Sequence, residues 1–442
     1  MEYIKKYIKN INIIKYHKDH KNHKYYIMIL MIILIIFVSF ISLKFMLKTE
    51  LYSSIDTNNK VIFFGQTIDL DINSVGFNYS KGFELAFNLY NKKGGINGYQ
   101  IKIILYNDHY DGETAVNNAK LLIDYFNVLC LLGTVGTNPT MYIIDKCIEG
   151  RNIPFIGPFA STIVWRKKFN KNIIVTNATF FEEFKLIIKN LLKNKISKIG
   201  IIYQNDIYGI TYYNSFIEYI LLNNYPIDVI SSGKFERRTN ELDDCYKSLF
   251  NIKNAYNNSE CLKSNLLHEM QGVFVVCAEQ QISSILGHLK KIKPSLFIYY
   301  NYFPGNSKSN YEDLEKYDKT NIYQTLLAPN LKNKYPIIYN KLTTEINIYN
   351  KNNKIKINNN NNITLEKGFI VGLMICEVLK EFKNLSKLNR DIFLDMFYTK
   401  KYIKIDNLYF GPFINDISSQ GMDYCSLNQY INNDLVLIDE NN

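Results

Sequence analysis

The apolar positions between residues 61 and 133 change from strand to helix spacing and back. An apolar run at 61–64 predicts a strand, and apolar side chains three and four apart between 83 and 90 predict a helix. Gly94 and Gly95 end that helix, because glycine adopts the left-handed backbone without a Cβ clash. The pattern then predicts a strand at 101–106, a helix at 113–126 and a strand at 128–132. This βαβαβ order is typical of a doubly wound parallel sheet.

A second series of the same kind follows. A helix at 141–149, a short strand at 153–156 and an apolar run at 173–177 lead into a helix at 180–192. The series that begins after this helix predicts a second parallel sheet, with strands at 199–203, 229–232, 273–277 and 296–300 and helices near 211–222, 241–251 and 280–290. Amphipathic helices at 365–382 and 390–398 then precede short strands near the C-terminus.

Residues 25–43 carry no charge and are long enough to cross a membrane. At 1.5 Å per residue they extend roughly 29 Å, close to the hydrocarbon thickness of a bilayer. Seven lysines precede this span, which places residues 1–24 in the cytosol by the positive-inside rule. We therefore expect a signal anchor at 25–47 and a single-pass type II protein with its C-terminal domain extracellular or luminal. The alternative is a cleaved signal peptide, whose apolar core is usually about 7–15 residues.

The composition excludes two classes of protein. Hydrophobic residues make up 47% of the 442 positions, which excludes general disorder. The net charge of +11 comes from lysines spread along a chain rich in Asn, Ile and Tyr, residues that share A/T-rich codons. A nucleic-acid surface would concentrate its charge, so we expect no nucleic-acid partner.

Three motifs in the first series resemble a known family. Residues 94–98 read Gly-Gly-Ile-Asn-Gly, an acidic loop follows at 108–111, and the third strand ends at Gly133. This resembles type I periplasmic binding proteins of the leucine and branched-chain amino-acid-binding family, over about residues 58–432. The resemblance implies a two-lobed clamshell in which each lobe is a doubly wound parallel sheet, here preceded by one transmembrane helix. Residues 409–413 and 420–422 resemble protist receptor ectodomains of the same fold.

The resemblance also implies that the chain visits each lobe more than once. The helix at 365–382 is expected to return to the first lobe, and the last strands to the second. Residues 246–265 and 350–362 are polar insertions that we expect to lack regular structure. The predicted order is lobe 1 at 58–178, lobe 2 at 179–327, a return to lobe 1 at 328–410 with its Asn-rich loop at 350–362, and lobe 2 with the C-terminal tail at 411–442.

Ligands of open α/β sheets bind beyond the carboxyl ends of the strands, so the turns there are the candidate site. Gly136, Thr137 and Asn138 follow the third strand directly before a helix, where backbone N–H groups attract an anion. The alternative is an ordinary helix cap. Ala160 and Ser161 follow the next strand and resemble the family turn whose carbonyl and hydroxyl receive the ammonium and carboxylate of the ligand. Phe159 departs from the small residue usual there.

The second lobe supplies four further candidates. Tyr208 lies in a segment that resembles the family's Tyr-Gly turn, whose tyrosine closes over the ligand; packing at the surface is the alternative. Asn301 and Tyr302 stand where amino-acid-binding members carry an acidic residue for the ammonium group. Glu279 could supply that charge from the neighbouring turn, or be a solvated residue favoured by the helix dipole.

Other chemistry is sparse. Cys245 and Cys261 flank the first insertion and are the candidate disulfide, and the sequence offers no Cys-x-x-Cys pair. His17, His20 and His23 lack a carboxylate or Cys to complete a coordination shell, so we predict no metal site and no cofactor. Asp108 and Asp111 are interpreted as structural, with Asp111 capping the next helix.

These features favour a binding function over catalysis. We expect a membrane-anchored receptor or solute-binding protein for a small polar metabolite, an amino acid or related carboxylate, acting by closure of two lobes. Its protein partner would be a signalling or transport component, or a second copy through lobe 1. The alternatives are a structural or adhesion module that lost its pocket and, less favoured, an enzyme. Catalytic signatures such as Gly-x-Ser-x-Gly and His-Glu-x-x-His are missing from the sequence.

Overall fold

The structure is a computed structural model that describes residues 30–35 and 53–441, except 73, 238, 240, 255–257, 278–280, 302–319, 358–361 and 432–433. The chain divides into two compact units, Met1–Ser53 and Ser54–Asn442. Residues 30–35 are helical. Among the described residues no helix has both the length and the apolar character needed to span a bilayer. The rest of the predicted anchor at 25–43 lies outside the described residues.

The first sheet is built by strands that precede residue 175. Its core strand β2 pairs in parallel with β3 on one side and β4 on the other, and β5 and β6 continue the parallel order. Only β1 runs antiparallel, along β2. The described strands of this sheet are β1 (Ile55–Asp56), β2 (Val61–Ile68), β3 (Gln100–Asn107), β4 (Leu131–Leu132), β5 (Phe155–Ile156) and β6 (Ile173–Ile174).

Helices cover both faces of this sheet. The apolar face of helix α1 (Val75–Asn91) packs on the sheet and against a helix from much later in the chain, α12 (Ile363–Lys380). The two helix backbones touch because Gly82 has no side chain: a Cβ there would lie 2.4 Å from the carbonyl oxygen of Leu365. The other helices of this lobe are α2 (Gly112–Lys120), α3 (Thr137–Ile143), α11 (Pro336–Asn352) and α13 (Arg390–Lys400).

The second sheet contains seven described strands in the order β15-β14-β11-β10-β9-β7-β8. Five are parallel, but β14 runs antiparallel to β11, and β15 antiparallel to β14. The expectation of a purely parallel sheet was therefore wrong, since the last two strands form a hairpin. These strands are β7 (Lys198–Gln204), β8 (Asp228–Phe235), β9 (Gly272–Val276), β10 (Phe297–Tyr300), β11 (Ile322–Leu326), β14 (Ser426–Ile431) and β15 (Asp434–Glu440).

The predicted insertions are partly ordered. Tyr246 lies within a helix and is buried, with its ring stacked on His288 at 4.0 Å between centroids. A helix also covers residues 336–352, so the second insertion begins inside regular structure, and Asn362 caps the helix after it. The remaining described α-helices and strands are α4 (Phe180–Lys193), α5 (Ile207–Leu222), α6 (Asp243–Phe250), α7 (Asn258–Cys261), α8 (Asn265–Glu269), α9 (Gln281–Ile292), α10 (Leu331–Lys334), β12 (Ile403–Ile405) and β13 (Leu408–Phe410). Short π-helical segments at Leu121–Tyr125 and Ile144–Ile148 and 3₁₀ turns at Val164–Arg166 and Leu385–Lys387 complete the described helical structure.

The chain passes between the two sheets three times, at residues 175–179, 327–330 and 419–425, which we call the crossing segments. Two of them are hydrogen-bonded to each other, because the amide of Val175 donates to the carbonyl of Ser419 (2.9 Å) and that of Gly421 to the carbonyl of Val175 (2.6 Å). The first segment directly follows the carboxyl end of β6, and the second directly follows that of β11. Hinges between lobes are formed by a few loop residues, so these segments are the candidate hinge.

Candidate functional site

The turns after β4 and β5 lie side by side at the edge of the first sheet. The amide of Gly136 donates to the carbonyl of Phe159 (3.0 Å), and the amide of Phe159 to the carbonyl of Thr134 (2.9 Å). This pairing brings together Thr137 and Ser161, both predicted from the sequence. Both side chains are buried, and among the described residues neither hydroxyl has a hydrogen-bond partner. Buried hydroxyls are normally paired, so these two are candidates for contact with a ligand.

The structure gives Gly136 a different role from the one expected. Its φ of +99° requires glycine, but the space above it is filled by the ring of Tyr110, which a Cβ would meet at 2.3 Å. The close approach that the glycine allows is therefore that of a side chain. Arg237, from the loop after β8, lies 3.5 Å from the centroid of the same ring. Tyr110 thus joins the two lobes through a cation–π contact.

Asn138 does not face Thr137. It is half-buried, and its side-chain oxygen lies against Gly112 at the start of α2, 2.8 Å from where a Cβ would be. The helix-cap alternative is also wrong for Thr137 and Asn138. Gly136 occupies the N-cap position, and no side chain caps the helix. Helix α3 continues directly into a π-helical segment at Ile144–Ile148, and the anion site predicted at its N-terminus stays a prediction.

The carbonyl of Ala160 already has a partner. The guanidinium of Arg166 donates to it at 2.6 Å and to the carbonyl of Asn177 at 2.9 Å. In the family that this chain resembles, a carbonyl of this turn receives the ammonium of the ligand, so here a side chain takes that place. The preceding Phe159 points into the core and stacks on Tyr79 at 5.0 Å. Its bulk therefore does not enter the space beside Ser161.

Tyr208 and Asn301 are brought into contact in the second lobe. The side-chain amide of Asn301 donates to the hydroxyl of Tyr208, and its oxygen accepts from the amide of Cys277 at 3.0 Å. Tyr208 is 1% exposed, so surface packing is excluded. Burial, and next the charge of Glu183, raise the pKa of Tyr208 well above its usual range, so it remains neutral. Glu279 and Tyr302 lie outside the described residues.

One helix from each half of the candidate site contacts the other. Thr137 opens α3 and Tyr208 lies in the first turn of α5, and these helices are in contact. Asp206 caps α5 by accepting from the amide of Gly209 at 3.0 Å, which fixes the position of Tyr208. The helices that carry Thr137 and Tyr208 are therefore neighbours, and the prediction that these two side chains face each other across a cleft stays a prediction.

Three charged residues near this site were not predicted. Glu183, on α4, accepts from the hydroxyl of Thr325 and is fully buried. Arg166 binds Ala160, and Lys367 lies on α12 with its ammonium fully buried. Glu183 is the second of two consecutive glutamates on a helix of strong amphipathic pattern, where it falls on the buried face; that was the available signal. Nothing in the sequence around Arg166 or Lys367 separates them from the many surface cations.

The acidic loop has the structural role expected of it. Asp111 caps α2 by accepting from the amide of Thr114 at 2.7 Å. Asp108 is buried and accepts from the hydroxyls of Thr134 (3.1 Å) and Thr67 (3.3 Å), which ties the candidate turn to β2. Burial raises the pKa of Asp108 to about 6.

Cys245 and Cys261 belong to one buried cluster of the second lobe, and the structure has each as a thiol. Burial raises the pKa of Cys245 to about 12, which makes that thiol unreactive. The predicted disulfide remains a prediction. Among the described residues there is no group of His, Cys, Asp and Glu that could hold a metal ion.

Comparison with known proteins identifies the fold of this chain. Residues 71–221 match the family model described as periplasmic binding protein. A possible leucine/isoleucine/valine-binding protein from Rhodopirellula baltica superposes with a TM-score of 0.69 at 16% identity, over 87% of this chain and 98% of that one. This chain has the type I periplasmic-binding-protein fold. The resemblance inferred from its sequence motifs is thereby confirmed.

Two further solved structures of the same fold contain a bound ligand. The branched-chain amino acid transporter substrate-binding protein LivJ from Streptococcus pneumoniae, in complex with isoleucine, has a TM-score of 0.65 at 14% identity, covering 86% of this chain and 99% of that one. A solute-binding protein from R. palustris in complex with benzoate has a TM-score of 0.65 at 13% identity, covering 86% and 95%. No curated protein sequence matches this periplasmic-binding-protein-like chain. At these identities the likeness establishes the fold alone.

Proposed function

We propose that residues 54–442 bind a small polar metabolite, an amino acid or related carboxylate, between two lobes that close on it. The observation that carries this is the pair of buried hydroxyls on Thr137 and Ser161 with no partner among the described residues. Leaving a buried hydroxyl unpaired costs about 1–3 kcal/mol. A ligand carboxylate accepts from both hydroxyls, so its binding recovers that cost in the closed arrangement.

The second lobe supports the same function through Tyr208 and Asn301. The hydroxyl of Tyr208 accepts from the side-chain amide of Asn301, which holds the tyrosine ring in place at the start of α5. The helix that carries Tyr208 contacts the helix that begins at Thr137. A ligand held by the first lobe therefore shifts the equilibrium toward closure, because the ligand interacts better with the closed state than with the open one. Proteins of the same fold in complex with isoleucine and benzoate support a carboxylate ligand.

A ligand screen tests this function. The full chain in detergent is mixed with amino acids, mono- and dicarboxylates, amides and nucleosides, and its thermal unfolding is followed. A ligand present at about 100 times its Kd should stabilise the protein by about 2.7 kcal/mol. The matched variants are Thr137→Val and Ser161→Ala, with exposed Thr344→Val as the control. Binding that is unaffected by both site variants would contradict the placement of the site.

We also propose that the N-terminal apolar segment at 25–43 anchors this domain, with residues 1–24 in the cytosol. The support is the seven lysines that precede the segment and the length of its uncharged run. Protease added to sealed vesicles of known orientation distinguishes the two ends of the chain. A C-terminal tag found on the cytosolic side would refute the topology. A signalling or transport component, or a second copy through the first lobe, is the expected partner.

The alternative functions give different results in the same screen. A structural or adhesion module that kept the fold would show no stabilisation by any compound. An enzyme would convert a compound of the panel, which mass spectrometry of the incubated mixture detects. A structural module gives no function to the unpaired hydroxyls of Thr137 and Ser161, and an enzyme would show turnover as well as binding, so we favour ligand binding.

A further inference from the structure

Two cations lie together at the crossing segments. The ammonium of Lys367 is fully buried; it donates to the carbonyl of Leu327 (3.2 Å) and contacts the sulfur of Met422 (3.3 Å), a weak acceptor. Arg166, partly exposed, donates to the carbonyls of Ala160 and Asn177, and its Nε has no partner among the described residues. Both side chains are thus held by neutral groups: two carbonyls for Arg166, and one carbonyl and one thioether for Lys367.

Lys367 and Arg166 are close enough to interact electrostatically, and among the described residues neither has a close counter-ion. The charge of Arg166, after burial, lowers the pKa of Lys367, which falls to about 7. The one acid that opposes this effect is Asp423, whose own side chain is exposed. Within the described residues, no carboxylate forms an ion pair with either cation. Burying a charge is costly unless it is paired, so two such charges side by side indicate a site for negative charge.

This positive site is continuous with the candidate ligand site. Arg166 binds the carbonyl of the residue directly before Ser161, whose hydroxyl is unpaired. Asn177, its other acceptor, also accepts from the side chain of Gln420 at 2.9 Å, on the third crossing segment. A ligand that places one carboxylate at Thr137 and Ser161 therefore has a second anion site within reach, beside the hinge.

We propose that the ligand of this protein is a diacid, with its second carboxylate held by Arg166 and Lys367. This rests on the proposed function and narrows it. Two sources share the chemistry: simple dicarboxylates, and acidic amino acids that carry an α-ammonium group as well. The carbonyl of Ala160 is taken by Arg166, and an amide, Asn301, stands where an acid would receive an ammonium. Glu183 is buried beside Tyr208, and its carboxylate would favour an acidic amino acid because it would attract the α-ammonium group.

The second anion site lies where it would affect closure. Lys367 is bonded to Leu327 on the second crossing segment and contacts Met422 on the third, whereas Arg166 reaches Asn177 on the first. A carboxylate that bridges the two cations would link all three segments through their side chains. Binding of the diacid would therefore stabilise contacts among the crossing segments as well as contacts between the two lobes.

Isothermal titration of the full chain tests this with matched ligands. The panel contains succinate and glutarate, aspartate and glutamate, their amides asparagine and glutamine, and isoleucine and benzoate. We expect a diacid to bind at least about tenfold more tightly than its amide. Arg166→Gln and Lys367→Met should each weaken the diacid roughly 10- to 150-fold, the value of one hydrogen bond to a charged group, and reduce the difference between acid and amide. Arg166→Lys, which keeps the charge, should retain part of that difference.

The outcomes separate this inference from the proposed function. Preferential binding of asparagine, glutamine, isoleucine or benzoate would overturn the diacid inference alone, as would an acid–amide difference that survives both charge-removing variants. Failure of every compound to bind would overturn the proposed function and this inference with it. Aspartate or glutamate binding better than succinate and glutarate would identify the amino-acid source. Exposed Lys168→Met is the control, and unliganded melting temperatures verify that each variant folds.

Discussion

Glu366 and Lys367 are consecutive residues on α12, and both are buried. Neighbours on a helix point in different directions, so they do not neutralise each other. Glu366 lines a cavity of about 100 Å³ together with Asn428 and Lys334, and its nearest donor is the amide of Leu331 at 3.5 Å. Burial raises the pKa of Glu366 to about 7 and lowers that of Lys367 to about 7. We predict opposite effects of pH on folding from these two residues.

The sign for Glu366 follows from its usual pKa of 4.5. Between pH 4.5 and 7 the unfolded chain has lost this proton while the folded chain keeps it, so the stability contribution falls as pH rises. Above about pH 8 the full difference applies, which corresponds to about 3 kcal/mol at 1.36 kcal/mol per pH unit. Glu366→Gln removes the charge and keeps the shape. It should therefore stabilise the protein by about 3 kcal/mol at alkaline pH and have a much smaller effect near pH 4.

Lys367 has the opposite slope in the next pH window. Its usual pKa is 10.5, so between pH 7 and 10.5 the unfolded chain holds a proton that the folded chain has released. Stability contributed by this residue rises with pH across that range, and it is fully lost once the pH has fallen below about 7. The corresponding difference is about 5 kcal/mol. Lys367→Met should stabilise the unliganded protein most below pH 7 and progressively less toward pH 10.

Urea unfolding of the wild type and both variants, from about pH 5 to 10 and without ligand, measures these differences. Taking variant minus wild type cancels the other buried groups, such as Asp108 and His288, which titrate in the same range. Exposed Glu218→Gln and Lys387→Met are the matched controls and should give flat differences. A flat difference for Glu366→Gln or Lys367→Met would refute the reasoning, because it would mean that burial does not oppose the charge.

Two further predictions concern the candidate site. Thr137→Val removes a buried hydroxyl without changing the shape, so thermal unfolding should show the unliganded protein more stable by about 1–3 kcal/mol, with ligand affinity reduced; a loss of stability would show that the hydroxyl is paired. Tyr208→Phe leaves the side-chain amide of Asn301 without its acceptor and should cost about 1–3 kcal/mol in urea unfolding, whereas exposed Tyr409→Phe should cost almost nothing. Equal effects of the two tyrosine variants would contradict the described contact.

The regular elements were predictable because their periodicity is local. The helix predicted at 180–192 is observed at Phe180–Lys193, and the strand predicted at 199–203 at Lys198–Gln204. Strand β11 was missed, although its five residues are all buried, because neither helical nor alternating spacing marks Ile322–Leu326. The antiparallel hairpin of β14 and β15 was missed for a related reason: pairing direction is set by the path of the chain, which periodicity does not reveal.

The residues of the candidate site also fall into those that the sequence predicted and those that it missed. Thr137 and Ser161 follow strands, and they were singled out by the rule that parallel sheets bind ligands beyond their carboxyl ends together with the resemblance of their turns to those of a known family. Arg166 was beyond reach, because its partners, the carbonyls of Ala160 and Asn177, are backbone groups that carry no sequence signal. The role of Gly136 was misjudged because its neighbour, Tyr110, comes from a loop 26 residues earlier in the chain, whose conformation the sequence does not specify.

The late return of α12 to the first lobe has a consequence during synthesis. Helix α1 ends at Asn91, but the helix that covers it begins only at Ile363, after the second lobe has almost been made. At a typical synthesis rate of 5–20 residues per second, the apolar face of α1 remains uncovered by α12 for roughly 15–55 s. The second lobe waits too, since β14 and β15 are the last strands produced. Neither half can be completed alone, so a nascent chain of this protein depends on protection from aggregation until its final residues emerge.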